Sequence, residues 1–189
     1  MTPLPILLYH GDHIDKTNAL YETLHTLGYD YKIIDDSALS QTLGYMMGLA
    51  GYQKNDMISE YHFPIDIMIF PSIPKEEISK ISKILKEKNV DIARKAMLTQ
   101  HNQEWQIHTL IDEINKEHYY FAKRLELQTL LMECMKVHPE KVPLSIRKDF
   151  QQAVVSAYDL LKKQTSIHDI EMAINQIIPL YEQVYTLII

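Results

Sequence analysis

The stretch Ala96 to His118, AMLTQHNQEWQIHTLIDEINKEH, constrains the fold more than any other part of the chain. The apolar run Ala96 to Leu98 stops at the polar residues Thr99 to Glu104. From Ile107 the apolar residues Ile107, Leu110, Ile111 and Ile114 recur three and four apart. A continuous apolar run that changes to a 3.6-residue period describes a buried strand turning into a helix that packs back on its sheet. Asn102 is placed to cap that helix. An α/β domain is the consequence.

The same grammar recurs upstream. Ile6 to Tyr9 is continuously apolar and runs into His10-Gly11-Asp12-His13. A helix follows, with Asp12 or Asp15 as N-cap, a stripe of Ile14, Leu20, Tyr21, Leu24 and Leu27, and Gly28 as its stop. Tyr31 to Ile34 is a second strand ending in Asp35-Asp36, and Ile65 to Phe70 a third. Ser72, Pro74 and Glu76-Glu77 then open a helix carrying Ile78, Ile81, Ile84 and Leu85, and Arg94 to Leu98 is the fourth strand. The piece from Ser37 to Pro64 is the longest irregular one. Its middle, around Leu39, Leu43, Met46 and Met47, reads as a loop with tight turns or a short helix. Strands separated by helices predict a four-stranded, mainly parallel sheet with flanking helices and right-handed crossovers. A ferredoxin-like α+β sheet is the alternative that the long piece leaves room for.

Composition changes near residue 119. All five glycines lie at or before Gly51, and seven of nine histidines at or before His118. Up to His118 the chain holds 11 basic and 17 acidic residues, and from Tyr119 onward 8 and 8, so the net charge of -6 sits on the first part. Beyond it the periodicity is purely helical. One helix carries Leu127, Leu130, Leu131 and Cys134, and a second carries Ile146, Phe150, Ala153, Val154, Ala157, Leu160 and Leu161. A third, entered by Ser166-x-x-Asp169, carries Ile167, Ile170, Ile174, Ile177, Tyr181 and Val184. Pro179 predicts a kink or an early end in the last of these. Residues 1–118 are thus expected to form the α/β domain and 119–189 a three-helix bundle.

Residues 4 to 118 resemble an uncharacterised bacterial α/β domain family of unknown function. The resemblance is carried by an L-T-x-x-N-x-x-W strand end and an E-x-x-x-E-H helix end, here Leu98, Thr99, Asn102, Trp105, Glu113, Glu117 and His118, with the Gln41 to Gly44 stretch in support. It implies a fold and no activity. The remainder resembles a sugar-binding-associated three-helix module of bacterial surface proteins, through Leu127 to Leu131, Ala153 to Leu161 and Glu171 to Ala173. It implies the helical architecture.

Ligands of open parallel sheets sit at the carboxyl ends of the strands. The candidates there are His10, Asp12 and His13, then Asp35 and Asp36, then Ser72, then Thr99, His101 and Asn102. Imidazole and carboxylate together suit a divalent transition metal. Helix capping equally explains Asp12 and Asn102, turn formation explains Asp35-Asp36, and no histidine spacing matches a metal motif such as H-E-x-x-H. No metal or cofactor is therefore expected. No Walker-type G-x-x-x-x-G-K, G-x-G-x-x-G or G-x-S-x-G stands after any strand, which disfavours nucleotide hydrolysis, dinucleotide binding and serine-elbow hydrolysis. Trp105, at 100° per residue, points away from the Ile107 stripe and shares its side with His108, Thr109 and Asp112. It either packs on another part of the chain or anchors a partner.

The acidic first part and neutral second part argue against a nucleic-acid partner, which would need a basic stripe. The short apolar start without basic residues argues against a leader or membrane anchor, and lone Cys134 on an apolar helix side reads as a buried thiol, so a cytoplasmic setting is expected. Leu187-Ile188-Ile189 predict an intramolecular or dimer contact. The expected function is a non-enzymatic interaction or regulatory module, with a protein partner or a homodimer. The alternative is a ligand-binding protein or enzyme working at the His10, His13, Asp35, His101 rim.

Overall fold

The computed structural model describes residues 3–11 and 17–186. The expectations resting on Asp12, His13, Ile14, Asp15 and Leu187 to Ile189 lie outside those residues. In chain order the elements are β1 (Ile6–Tyr9), α1 (Thr17–Thr26), β2 (Tyr31–Ile34), α2 (Leu43–Met46), β3 (Ile67–Phe70), α3 (Lys75–Glu87), β4 (Arg94–Met97), α4 (Ile107–Met135), α5 (Leu144–Leu161) and α6 (Ile167–Thr186). Packing divides the chain into two compact units, Met1–Lys116 and Glu117–Ile189.

In the first unit the four strands form one sheet in the order β2-β1-β3-β4. β1 pairs with β2 in parallel and β3 with β4 in parallel. The central pair, β1 with β3, is antiparallel, with Leu7 opposite Ile69 and Tyr9 opposite Ile67. The unit is therefore two β-α-β halves joined back to back, a mixed sheet in which two of three pairings are parallel. The expected four-stranded, mainly parallel sheet is thus present, with one antiparallel pairing at its centre. The cause is the segment between β2 and β3, which starts and finishes at the same end of the sheet. It brings Ile67 back beside Tyr9, at the end where β1 and β2 finish. With β1 and β2 adjacent and parallel, the sheet is not the ferredoxin-like alternative.

Alternate residues of the central strands serve two cores. Ile6, Leu8, Met68 and Phe70 pack against Leu20 and Leu24 of α1 and Ile81 and Leu85 of α3. Leu7, Tyr9, Ile67 and Ile69 pack against Leu39, Leu43 and Met47 and against Ile107, Leu110 and Ile111 of α4. Burial on both faces is why β1 and β3 are continuous apolar runs, not alternating ones. α3 starts at Pro74 with no side-chain cap, so Ser72 does not play that part. The pre-set φ of proline and the charges of Glu76 and Glu77 open the helix instead.

α4 runs unbroken through the position where one helix was expected to end and another to begin. Nothing between Glu113 and Met132 is proline or glycine, so no residue there stops a helix. In the second unit Leu127, Leu131 and Cys134 of α4 share a core with Phe150, Ala153 and Ala157 of α5 and Ile170, Ile174 and Ile177 of α6. α6 continues past Pro179 to Thr186. Pro179 and Asn175, whose carbonyl loses its partner, are both exposed, which leaves that carbonyl open to solvent.

Gly11 marks where the chain entering β3 presses on the end of β1. A Cβ at this position would lie 2.3 Å from the Ile65 nitrogen and 2.6 Å from the Phe63 carbonyl oxygen. Both are backbone atoms with no rotamer to yield. Gly11→Ala is expected to cost about 2–3 kcal/mol of stability by overpacking, read from urea unfolding. A change within about 0.5 kcal/mol would show that Phe63–Ile65 is not seated there.

Candidate functional site

The polar residues that sequence reasoning gathered onto one rim divide between the two ends of the sheet. Because β1 and β3 are antiparallel, His10, Asp35 and Asp36 stand at one end, and Ser72, Thr99, His101 and Asn102 follow the strands at the other. Each end has its own network.

At the first end Tyr9 is the hub. Its hydroxyl donates to Asp36 Oδ1 at 2.6 Å and accepts from the Phe63 amide at 3.0 Å, while His62 Nδ1 lies 2.9 Å from Asp36 Oδ2. These bonds, the Tyr9 one foremost, hold the Asp36 carboxyl below the ordinary carboxylate range. Asp35 accepts from the Ser37 amide and caps the 3-10 turn Asp36–Ala38. Half-buried His10 lies between two groups, with Nε2 3.1 Å from the Tyr21 hydroxyl and Nδ1 3.5 Å from Asp66 Oδ1. Tyr21 stacks on Tyr31 with ring centres 4.8 Å apart. Burial first, then the neighbouring Tyr31 and Asp66, raises the pKa of Tyr21, so it stays a neutral phenol. A carboxylate, an imidazole and a phenol in line could relay a proton. Here each is occupied by the next.

At the other end Asn102 is a loop brace, which corrects its assignment as a helix cap. Its Oδ1 accepts from the Thr99 amide at 2.7 Å and its Nδ2 donates to the Met97 carbonyl at 2.9 Å. Thr99 returns the contact by accepting from the Asn102 amide. Asn102 is spent on closing the loop, and α4 starts only at Ile107. Its first amide partners are carbonyls of the 39–41 segment: Ile107 donates to Gln41 and His108 to Leu39. His101 is exposed.

Trp105 therefore precedes α4, and the helical wheel that set it opposite the Ile107 stripe does not apply to it. It is 39% exposed, and its carbonyl accepts from the Leu43 amide. His108 stacks on Tyr61 with ring centres 3.9 Å apart and lies 2.7 Å from the Gln106 amide oxygen, while Asp112 is half-buried one turn on. His108 is thus a seat for the segment before β3. That segment is tied again where Gln41 and the Asn55 backbone exchange two hydrogen bonds, at 2.6 and 2.8 Å. Among the described residues no group of three His, Cys, Asp or Glu side chains is placed to hold a metal.

The second unit presents a different surface. Phe121, Leu125, Met132 and Met135 of α4, with Val155 and Tyr158 of α5, are each 50–72% exposed. On α4 they fall, with Gln128, at intervals of four and three, one position round from buried Leu127, Leu131 and Cys134. Two grooves of about 370 and 460 Å³ run along this face between α4 and α5 and share Met135. Leu131 and Phe150 lie in them, and the only charged side chains lining them are Arg124 and Lys162. Sequence reading had assigned the buried stripe of α4 and passed over its neighbour. The 4-3-4-3 spacing of Phe121 to Met135 was the available signal.

The first unit is an α/β fold with a mixed four-stranded sheet, and the second is helical. Residues 66–121, spanning β3, α3, β4 and the first half of α4, match the model of a family described as a domain of unknown function (DUF3783). An uncharacterised domain family therefore covers this segment, including Leu98 to His118. No curated protein and no solved structure matches the chain. Among the described residues no helix is long and apolar enough to cross a membrane.

The Tyr9 hub sets an expectation. Tyr9→Phe removes both the donor to Asp36 and the acceptor for Phe63, and should cost about 1–2 kcal/mol near neutral pH. A lowered folded-state pKa contributes stability that is complete above the unfolded value and disappears as pH falls through the folded one. With its largest cause removed, the Asp36 carboxyl should titrate higher, and the stability lost on acidification should shrink. Carboxyl carbon NMR titration of Asp36 and urea midpoints across the acid range check both; an unmoved Asp36 titration would contradict the role given to Tyr9.

Proposed function

We propose that this chain is a non-enzymatic interaction module that seats an amphipathic helix on the α4–α5 face of its second unit. The observation that carries this reading is the uncovered apolar stripe from Phe121 to Met135, matched across a groove by Val155 and Tyr158. A lone exposed apolar residue is ordinary; six on one face are a patch of the kind proteins keep for binding. Helix-in-groove recognition uses anchors at i, i+3, i+4 and i+7, the spacing this face offers. Methionine on its walls adapts to partners of different shape. Arg124 and Lys162 favour a partner helix with acidic residues beside its apolar stripe.

The alternative, a ligand site or enzyme at the strand ends, draws less support. Its residues are divided between the two ends, and His10, Asp35, Asp36, Thr99 and Asn102 are engaged in structural bonds. Cys134 offers no nucleophile either, because burial pushes its thiol up to about 11. An inert, buried free thiol suits a reducing, cytoplasmic setting.

The test is an NMR titration of the protein with a designed helical peptide bearing a leucine seam flanked by glutamates. Shifts should be confined to amides around Leu125, Met132, Val155 and Tyr158, with an affinity on the order of 10 μM, and should vanish in Leu125→Glu. That exposed substitution should itself change stability by less than about 0.5 kcal/mol. Unmoved amides on this face at roughly 1 mM peptide, in a chain that is monomeric under the same conditions, would sink the proposal.

A further inference from the structure

The helix that fills this face, we propose, is α4 of a second copy of the chain, packed antiparallel across a two-fold axis at Gln128. This rests on the reading of the α4–α5 face as a helix-binding surface and names its occupant. Phe121 and Met135 lie seven residues to either side of Gln128, and Leu125 and Met132 lie three before and four after it. Antiparallel superposition therefore brings Phe121 against the partner's Met135 and Leu125 against the partner's Met132, each contact occurring twice, as an isologous interface requires. Gln128 meets its own counterpart. Its amide can donate to and accept from the matching amide, and one polar residue in an apolar seam fixes register in the way that buried asparagine does in coiled coils.

Area and charge both point to a second copy. Six apolar side chains at 50–72% exposure leave on the order of 600 Å² uncovered, at the top of the range for patches on monomers. With Gln128 and the groove walls added, this approaches the ~800 Å² that each partner of a standard interface buries. Two charge pairs beside the seam are balanced within each helix, Lys123 with Glu126 at 2.8 Å and Lys136 with Glu133 at 2.6 Å, while Arg124 is turned to the Leu161 and Lys163 carbonyls of its own unit. From Tyr119 onward the chain holds 8 basic and 8 acidic residues, so two such units meet without net repulsion. Tyr158 and Val155 of α5 flank the seam and cover the partner helix.

The experiment is sedimentation equilibrium of the full chain from roughly 1 to 100 μM. A monomer–dimer equilibrium is expected, weakened more than 100-fold in Leu125→Glu with the far-UV circular dichroism unchanged, and unaltered in Met172→Glu, which charges an exposed residue of α6. Gln128→Cys should form an interchain disulfide under mild oxidation, because its two copies face each other across the axis. Buried Cys134 does not compete. A chain that remains monomeric at about 100 μM, or a dimer that Met172→Glu breaks and Leu125→Glu does not, overturns the inference. A monomer that still binds the designed peptide leaves the helix-binding reading standing; a monomer that does not bind it removes both.

Discussion

The antiparallel pairing of β1 with β3 is the constraint on which the rest of the first unit depends. Both strands are buried along their whole length, and their side chains feed two separate cores. Each buried Leu, Ile, Met or Phe contributes about 1.5–3 kcal/mol relative to exposure. The pairing therefore stands at the energetic centre of the sheet, and a slip of one residue would exchange the two cores. It also reverses the second β-α-β half relative to the first. A chain with these strands all parallel would collect its strand-end loops on one rim and create the crevice where α/β proteins bind ligands. Reversal divides those loops, and the histidines with them.

A second consequence is that the segment between β2 and β3 must return to the end of the sheet from which it left. It does so under several ties: Asn55 on Gln41, Tyr61 on His108, His62 on Asp36, and the Phe63 amide on Tyr9. Gly44 lets the ring of Tyr52 approach within 2.8 Å of where a Cβ would stand, so the segment lies directly on α2. Residue types that suggest chemistry are thus spent on holding an irregular stretch in place. Among the described residues no buried side-chain nitrogen or oxygen lacks a hydrogen-bond partner. A site prepared for a ligand commonly leaves polar groups facing a concavity. These groups face one another.

How much of this was legible in the sequence depended on whether a feature was local. The strands at Ile6, Tyr31 and Arg94, and the helix beginning at Ile107, followed from runs and periods that act within a few residues. The direction of β3 did not, because Ile65 to Phe70 reads the same whether its neighbour runs parallel or antiparallel. Only the path of a long, weakly patterned loop decides it. Asn102 misled for a related reason: a short polar side chain before a helical period satisfies the rule for a cap, but a nearer pair of backbone groups, at Thr99 and Met97, took its amide. The uncovered stripe of α4 was present in the spacing from Phe121 to Met135. It was masked by the stronger stripe beside it, since a helix apolar over a wide arc reads as one face when only burial inside a single chain is considered.

The polar networks of the first unit and the apolar face of α4 and α5 in the second differ in how they can be satisfied. Hydrogen bonding is directional and short in range, so a network such as Tyr9, Asp36 and His62 can close on itself with only a few atoms. Apolar surface has no such closure, because it is satisfied only by area from another body. Three helices around the core of Leu127, Phe150 and Ile174 can bury one side of α4, and the arc carrying Leu125 and Met132 extends beyond what α5 and α6 reach. A fourth helix completes such a layer in the common bundle architecture. The proposed second copy would supply that fourth position, with Phe121 and Met135 seven residues to either side of Gln128 and Leu125 and Met132 three before and four after it.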